Sequence, residues 1–293
     1  ALEVGDIDLP SLTEDDRRAY VTLLGDNPSA PTGLKALATH LTTLGEHAIA
    51  AERWEALGTH HEHHLDPGAA GVAVAHAAAC HDADDAPESA FHRADQAVRL
   101  LQVAGDEDGL TAALALASRA ADTVGTDEVA LRQALLEARV AVHGTRPEDA
   151  MTAADRAEAL LESLGDAVDD QAHFDLALAR GTAHAQAGRG EAAVEHLTRA
   201  AELAAERGDD HGEGRVTNNL GIAAYNALDY TAAAEAWARS AAAKLRTGDV
   251  RGHRISESNR GLALRELGRL PEAIEAARSS LNDARRIGDR RGE

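Results

Sequence analysis

The chain has 293 residues, 44% of them hydrophobic but only 2% aromatic, and a formal net charge of −21. So acidic a chain lacks the basic footprint of a general nucleic-acid binder, and no apolar run reaches the roughly 18 residues of a membrane span. The single cysteine, Cys80, excludes an intrachain disulfide and fits a reducing, cytoplasmic setting.

Charge is unevenly spread. Residues 251–293 hold ten Arg and seven acidic residues, a net of +3, which leaves −24 on residues 1–250. That acidic body favours solubility and basic partners. Alanine dominates the apolar set, which suits closely packed helices rather than strands. Only Lys35 and Lys244 stand against 27 arginines. The first residue is not Met and the only Met is Met151, so an excised piece of a longer protein is expected.

Taken in chain order, residues 1–10 read as an extended tail. Ser11 and Glu14 fit a capping box and predict a leading helix over Thr13–Leu24. Two helix pairs follow, Leu34–Leu44 with His47–Leu57 and Ala69–His81 with Pro87–Val103. Gly109–Val124 is then a helix without a partner, because Gly105-Asp106 and Gly125-Thr126-Asp127 lie only 20 residues apart. Either an extra helix is inserted there or the N-terminal phase is displaced. Asp127–His143 pairs with Pro147–Leu164.

From Asp169 onward the chain repeats every 40 residues. Gly181, Gly221 and Gly261 are in register, as are Ala193, Ala233 and Ala273, and Glu195, Glu235 and Glu275. Gly208-Asp209, Gly248-Asp249 and Gly288-Asp289 close the units. The predicted pairs are Asp169–Ala187 with Glu191–Arg207, Gly212–Leu228 with Thr231–Thr247, and Arg251–Leu267 with Pro271–Ile287. Pro271 suits a first helical turn. Such periodicity marks a solenoid, whose units bury apolar faces only against their neighbours. Residues 288–293 match the start of one more junction, which predicts a continuing array or self-association through an open C-terminal end.

The run Leu220-Gly221, Tyr225, Asp229-Tyr230, Ala233, Trp237 and Ser240 resembles the tetratricopeptide repeat (TPR), in a 40-residue form. The junction from Gly208 to Gly221 is similar to those of LGN/Pins scaffolds and of bacterial regulators, including the sensor modules of MalT-like activators. The resemblance implies an all-α, right-handed superhelix of about six helix pairs plus extra helices. It divides the chain into a tail and leading helix (1–30), degenerate repeats (31–126) and a regular array (127–293).

The resemblance also implies a concave groove lined by the first helix of each pair. On this chain that groove takes Thr182 and Gln186, then Arg215, Asn218, Ile222, Tyr225 and Asn226, then Ser258, Leu262, Arg265 and Glu266. Amides there would bond a peptide backbone and arginines its carboxylates. LGN-type repeats carry Asn after the Leu-Gly pair; here Thr182, Ile222 and Leu262 stand instead, so that contact does not transfer. The lysine clamp of chaperone-binding TPRs is missing as well.

Chemistry has few footholds. His60-His61-Glu62-His63-His64 places His60 and His64 one turn apart if helical, a spacing that chelates divalent metals. Leu65 breaks a His-Glu-x-x-His motif, and the stretch reads more simply as a polar helix end. No phosphate-cradling loop or nucleophile constellation occurs. The expectation is a non-catalytic, cofactor-free module that binds a protein or peptide, as a scaffold or as the ligand-sensing part of a bacterial regulator. A regulatory or autoinhibitory domain of a larger transcription regulator, ATPase or protease is the alternative. A metal-dependent enzyme has only His60 and His64 behind it.

Overall fold

A computed structural model of the chain describes residues 31–165 and 168–288. The expected tail and leading helix (1–30) and the last expected junction (289–293) lie outside the described residues. Among these there are thirteen α-helices and no strand. They are α1 (Pro31–Leu44), α2 (His47–His63), α3 (Pro67–Ala83), α4 (Pro87–Ala104), α5 (Glu107–Val124), α6 (Asp127–His143) and α7 (Pro147–Leu164). Then come α8 (Asp170–Gln186), α9 (Gly190–Glu206), α10 (Asp210–Asn226), α11 (Tyr230–Arg246), α12 (Val250–Glu266) and α13 (Leu270–Ile287). Thirteen helices fit six pairs plus one.

The register comes from the turns. Residues with positive φ occur at Gly45, Leu65, Asp85, Gly105, Gly125, Thr145 and Gly165, and then at Gly188, Gly208, Leu228, Gly248, Gly268 and Gly288. The spacing is 20 residues throughout except between Gly165 and Gly188, where it is 23. The 20-residue separation of Gly105 and Gly125 is therefore the underlying period and not an anomaly. Helix α5 keeps the register, packs along α4 and touches α3. The slip falls later, between α7 and α8.

One residue serves two helices at many of these turns. After α9, Gly208 N–H donates to Ala205 O (3.1 Å) and Asp209 N–H donates to Ala204 O (2.9 Å), a Schellman closure. The Asp209 carboxylate then accepts from Gly212 N–H (2.9 Å) and caps α10. Asp66, Asp106, Asp229 and Asp249 repeat the arrangement at the starts of α3, α5, α11 and α12. Where no aspartate caps, proline opens α4 and α7 from the first turn, needing no partner for its nitrogen. The junction motif is thus accounted for by turn chemistry alone.

Contacts group the helices into two units, one reaching to Gln133 and one starting at Ala134, with the boundary inside α6. In the first, consecutive helices α1 to α5 pack side by side, and Leu41, Trp54, Leu57 and Cys80 form a core shared by α1, α2 and α3. In the second, α7 to α13 do the same, and α8 also meets α10. Small residues set the approach. Ala193 and Ala233 are fully buried, whereas Ala273, in the last pair, is only half-buried. A Cβ on Gly221 would lie 2.6 Å from Nε1 of buried Trp237, and one on Gly181 would lie 2.6 Å from Leu197 Cγ. Gly261 meets nothing nearer than 3.5 Å.

A polar chain crosses the second unit's interior. Lys244 Nζ donates to Ser256 Oγ (3.0 Å), Ser256 and Ser240 share a 2.9 Å bond, and Ser240 Oγ donates to Gly214 O (2.8 Å). Both serines are fully buried, so pairing offsets a desolvation cost of about 1–3 kcal/mol per group. The chain ties α10, α11 and α12 together. Burial holds the Lys244 ammonium below its ordinary pKa, against the opposing pull of Asp249.

Two substitutions test this account. Gly221→Ala is expected to destabilise, since overpacking costs about 1–3 kcal/mol against about 1 kcal/mol of helix propensity gained; Gly261→Ala should stabilise. Equal chemical-denaturation midpoints for the two variants would refute the packing. Leu228 holds φ 64° with its side chain 70% exposed. Leu228→Gly is expected to raise stability by about 0.5–1 kcal/mol, the left-handed penalty less glycine's chain entropy, read from the same denaturation curves.

Candidate functional site

The first helices of the last three pairs, α8, α10 and α12, carry their open faces at positions 40 residues apart. One row is Thr182, Ile222 and Leu262; Ile222 and Leu262 are 38% and 41% exposed. A second is Asn219 and Asn259, whose counterpart Ala179 is buried against Ala138 and Ala153, and a third is Asp175, Arg215 and Ile255. Gln186, Asn226 and Glu266 form a fourth toward the helix ends. Ile255, Ile222 and Leu262 make three exposed aliphatic side chains on two helices.

Most residues expected in the groove lie on these faces. Arg215, Ile222, Asn226, Ser258, Leu262, Arg265, Glu266 and Gln186 are exposed, while Thr182 and Asn218 are half-buried. Gln186 Nε2 donates to Val142 O (2.7 Å), fixing its amide against the end of α6. Asn219, absent from the expected set, donates from Nδ2 to Thr182 Oγ1 (2.8 Å) and joins α10 to α8. Asn218 reaches only its neighbour Asn219 (3.4 Å). The 40-residue alignment of Asn219 with Asn259 was the signal that would have singled it out.

Tyr225 turns inward. Its ring packs edge-on against Tyr230 (5.2 Å) and tilted against Trp237 (5.7 Å), so it walls the α10–α11 core. The two arginines differ. Arg265 is forked onto the adjacent Glu266 carboxylate, at 2.7 and 3.2 Å. Arg215 instead lies over the buried Phe174 ring, 6.0 Å from its centroid, and stays exposed.

His60 and His64 lie in the last turn of α2 and at its C-cap, so the helix runs further than the expected Leu57. Their rings stack at 4.2 Å. Among the described residues no group of three or more His, Cys, Asp or Glu is placed to hold a metal ion. In the first unit, a cavity of about 440 Å³ is lined by Glu55, His81, Glu88, Ser89, His92 and Arg93. Arg93 grips Glu55 through Nε (2.7 Å) and Nη2 (2.8 Å), and His81 Nε2 bonds the same carboxylate (3.0 Å). No feature of the sequence pattern marked this triad, whose members come from three helices.

No protein-family profile matches the chain, and no curated protein matches it. Among solved structures it is similar to a signal transduction ATPase with numerous domains (STAND) protein with a tetratricopeptide repeat sensor, from Pyrococcus horikoshii. The match has a TM-score of 0.54 and 12% identity, and covers 94% of this chain and 47% of that one. The chain thus spans about half the length of the structure it matches. The fold is an all-α helical repeat of the tetratricopeptide kind. No helix among the described residues is long and apolar enough to cross a membrane.

Titratable groups beside these surfaces set an expected pH response. His184, stacked on His196 at 5.4 Å, is held below its ordinary pKa of 6.5 by burial and by His196, Arg189 and Arg180, with Glu148 opposing. Burial raises the Glu55 carboxyl, but bonds from His81 and Arg93 outweigh it and leave the pKa below 4.5. Below pH 6.5 an unfolded chain binds protons that folded His184 resists, so stability falls on acidification. The Glu55 contribution is present above pH 4.5 and goes only as pH drops through its lowered value. Thermal melts of His184→Gln are therefore expected to lose less between pH 7.5 and 5.5 than wild type, with the limb below pH 4.5 unchanged. An unaltered slope between pH 7.5 and 5.5 would refute the assignment.

Proposed function

We propose that the chain is a non-catalytic protein- or peptide-binding module, acting as the ligand-sensing part of a regulatory protein. The observation that carries this reading is the open face of α10 and α12, where exposed Ile222, Ile255 and Leu262 lie among Arg215, Asn226 and Ser258. Aliphatic side chains standing in water beside amides and a guanidinium suit a peptide with apolar anchors and a carboxylate. The ligand class is an extended or helical peptide bearing both. The acidic body disfavours polyanions, so nucleic acid is not a ligand of this face.

A second reading is a regulatory or autoinhibitory domain of a larger multidomain protein. It draws on the structural neighbour, whose tetratricopeptide repeats are described as a sensor within a STAND protein. The two readings share one surface and differ in whether the peptide comes from another protein or from an attached domain. The metal-dependent enzyme has less behind it, for no third ligating side chain stands with His60 and His64 among the described residues.

Selection of a displayed peptide library against the wild-type chain tests the reading. Enriched peptides are expected to combine aliphatic residues with Asp, Glu or a free C-terminus. Binding should weaken about tenfold or more, roughly 1.4 kcal/mol, when Ile222→Glu and Leu262→Glu are combined, and duplex DNA should not compete. Equal affinity of the enriched peptides for wild type and the double variant would overturn the groove assignment.

A further inference from the structure

We infer that His60 and His64 form a chelating pair for a borderline divalent transition cation of the Zn²⁺, Ni²⁺ or Cu²⁺ kind, at the C-terminal end of α2. The site is separate from the peptide face and owes nothing to it.

Three features converge there. The two rings stand one helical turn apart and stack with centroids 4.2 Å apart and planes 29° apart, which puts two imidazoles side by side. The His64 ring is held in place, because its Nδ1 lies 2.7 Å from His60 O. A carbonyl oxygen can only accept, so Nδ1 carries the proton; in the neutral ring Nε2 is then left with its lone pair for a metal. An oriented imidazole of this kind, with its second nitrogen bonded to a carbonyl, is the usual state of a metal-ligating histidine. Finally, the pair sits at the negative end of the α2 dipole, on a chain of net charge −21.

The neighbouring carboxylates are engaged elsewhere, while the His61 ring stands edge-on to His60 with centroids 5.6 Å apart. Glu62 accepts from Gln96 Nε2 (3.0 Å), and Asp66 is committed to capping α3 through Ala69 N–H (3.0 Å). Both histidines are accessible, His64 being exposed and His60 half-buried. Water would fill the remaining coordination positions. Two imidazole nitrogens and no carboxylate select Zn²⁺, Ni²⁺ or Cu²⁺ over the oxygen-seeking Mg²⁺ and Ca²⁺. Bound metal would clamp the last turn of α2 and raise the stability of the folded chain by mass action.

The test uses the untagged, metal-free full chain titrated with ZnCl₂ by calorimetry, with MgCl₂ as the hard-cation control. One saturable equivalent of Zn²⁺ is expected, together with a higher thermal midpoint, and no response to Mg²⁺. His60→Ala and His64→Ala should each weaken Zn²⁺ binding on the order of tenfold or more and abolish the rise in midpoint. His61→Ala should retain both. Copper bound to wild type should give an electron paramagnetic resonance spectrum with two nitrogen ligands. Equal Zn²⁺ affinity in wild type and His64→Ala, an equal loss in His61→Ala, or no saturable binding in wild type would overturn the proposal.

Discussion

A turn that closes one helix and opens the next within two residues is the constraint on which the rest of the fold depends. A left-handed residue lets the following N–H reach back five residues, and that same following residue, when it is aspartate, caps the next helix. With no slack between helices, each must run antiparallel to the last and have nearly the same length. Helices of 17 or 18 residues from α2 through α13 are the consequence. Equal lengths in turn keep every residue facing the same neighbour one unit later. Small residues can then be placed where backbones meet.

That uniformity explains how so few aromatic residues suffice. Trp54, Phe91, Phe174 and Trp237 are all at most 5% exposed, and each stands among alanines. Gly221 lets the Trp237 ring lie against the α10 backbone, and Tyr225 and Tyr230 close around it. Phe174 is covered from the solvent side by Arg207 and Arg215, 5.5 and 6.0 Å from its ring centre. Arg215, the guanidinium assigned to the proposed peptide, is therefore also part of the packing, which would limit the rotamer entropy lost on binding.

The helical repeat was legible in the second half because glycine stands at most of its left-handed positions. In the first half the same positions hold Leu65, Asp85 and Thr145, and no simple pattern announces a left-handed leucine. It costs about 1–2 kcal/mol and persists because the flanking helices impose it. Hidden turns made Gly105 and Gly125 look like half a repeat when they were successive members of a 20-residue series. The open face of α10 and α12 was legible in part, as exposed Ile222 and Leu262 show. Periodicity located Ile222 and Leu262, but it could not tell Asn218 from Asn219, since that choice depends on the rotation of α10 against α8. Tyr225, expected on the groove, is half-buried against Tyr230 and Trp237, because an aromatic ring at a helix surface is drawn toward a core it can reach. The Glu55–His81–Arg93 triad was invisible, being assembled from three helices with no common spacing.

The rows on the open face also bear on what kind of ligand the proposed module would discriminate. In LGN-type repeats the residue after the Leu-Gly pair is a ligand-facing asparagine; here that row is Thr182, Ile222 and Leu262. Amides sit one turn earlier instead, at Asn219 and Asn259, where Asn219 already spends a donor on Thr182. A partner would thus meet aliphatic surface first and unsatisfied amide capacity only at the edges. Apolar contact tolerates small changes in side-chain shape, discriminating by about 1–3 kcal/mol per methylene, whereas amide contacts reject groups that leave them unpaired more severely. A face arranged in this order favours recognition by hydrophobic pattern and charge over recognition of one fixed backbone register. For the proposed sensor, that selectivity would admit a class of segments rather than a single sequence.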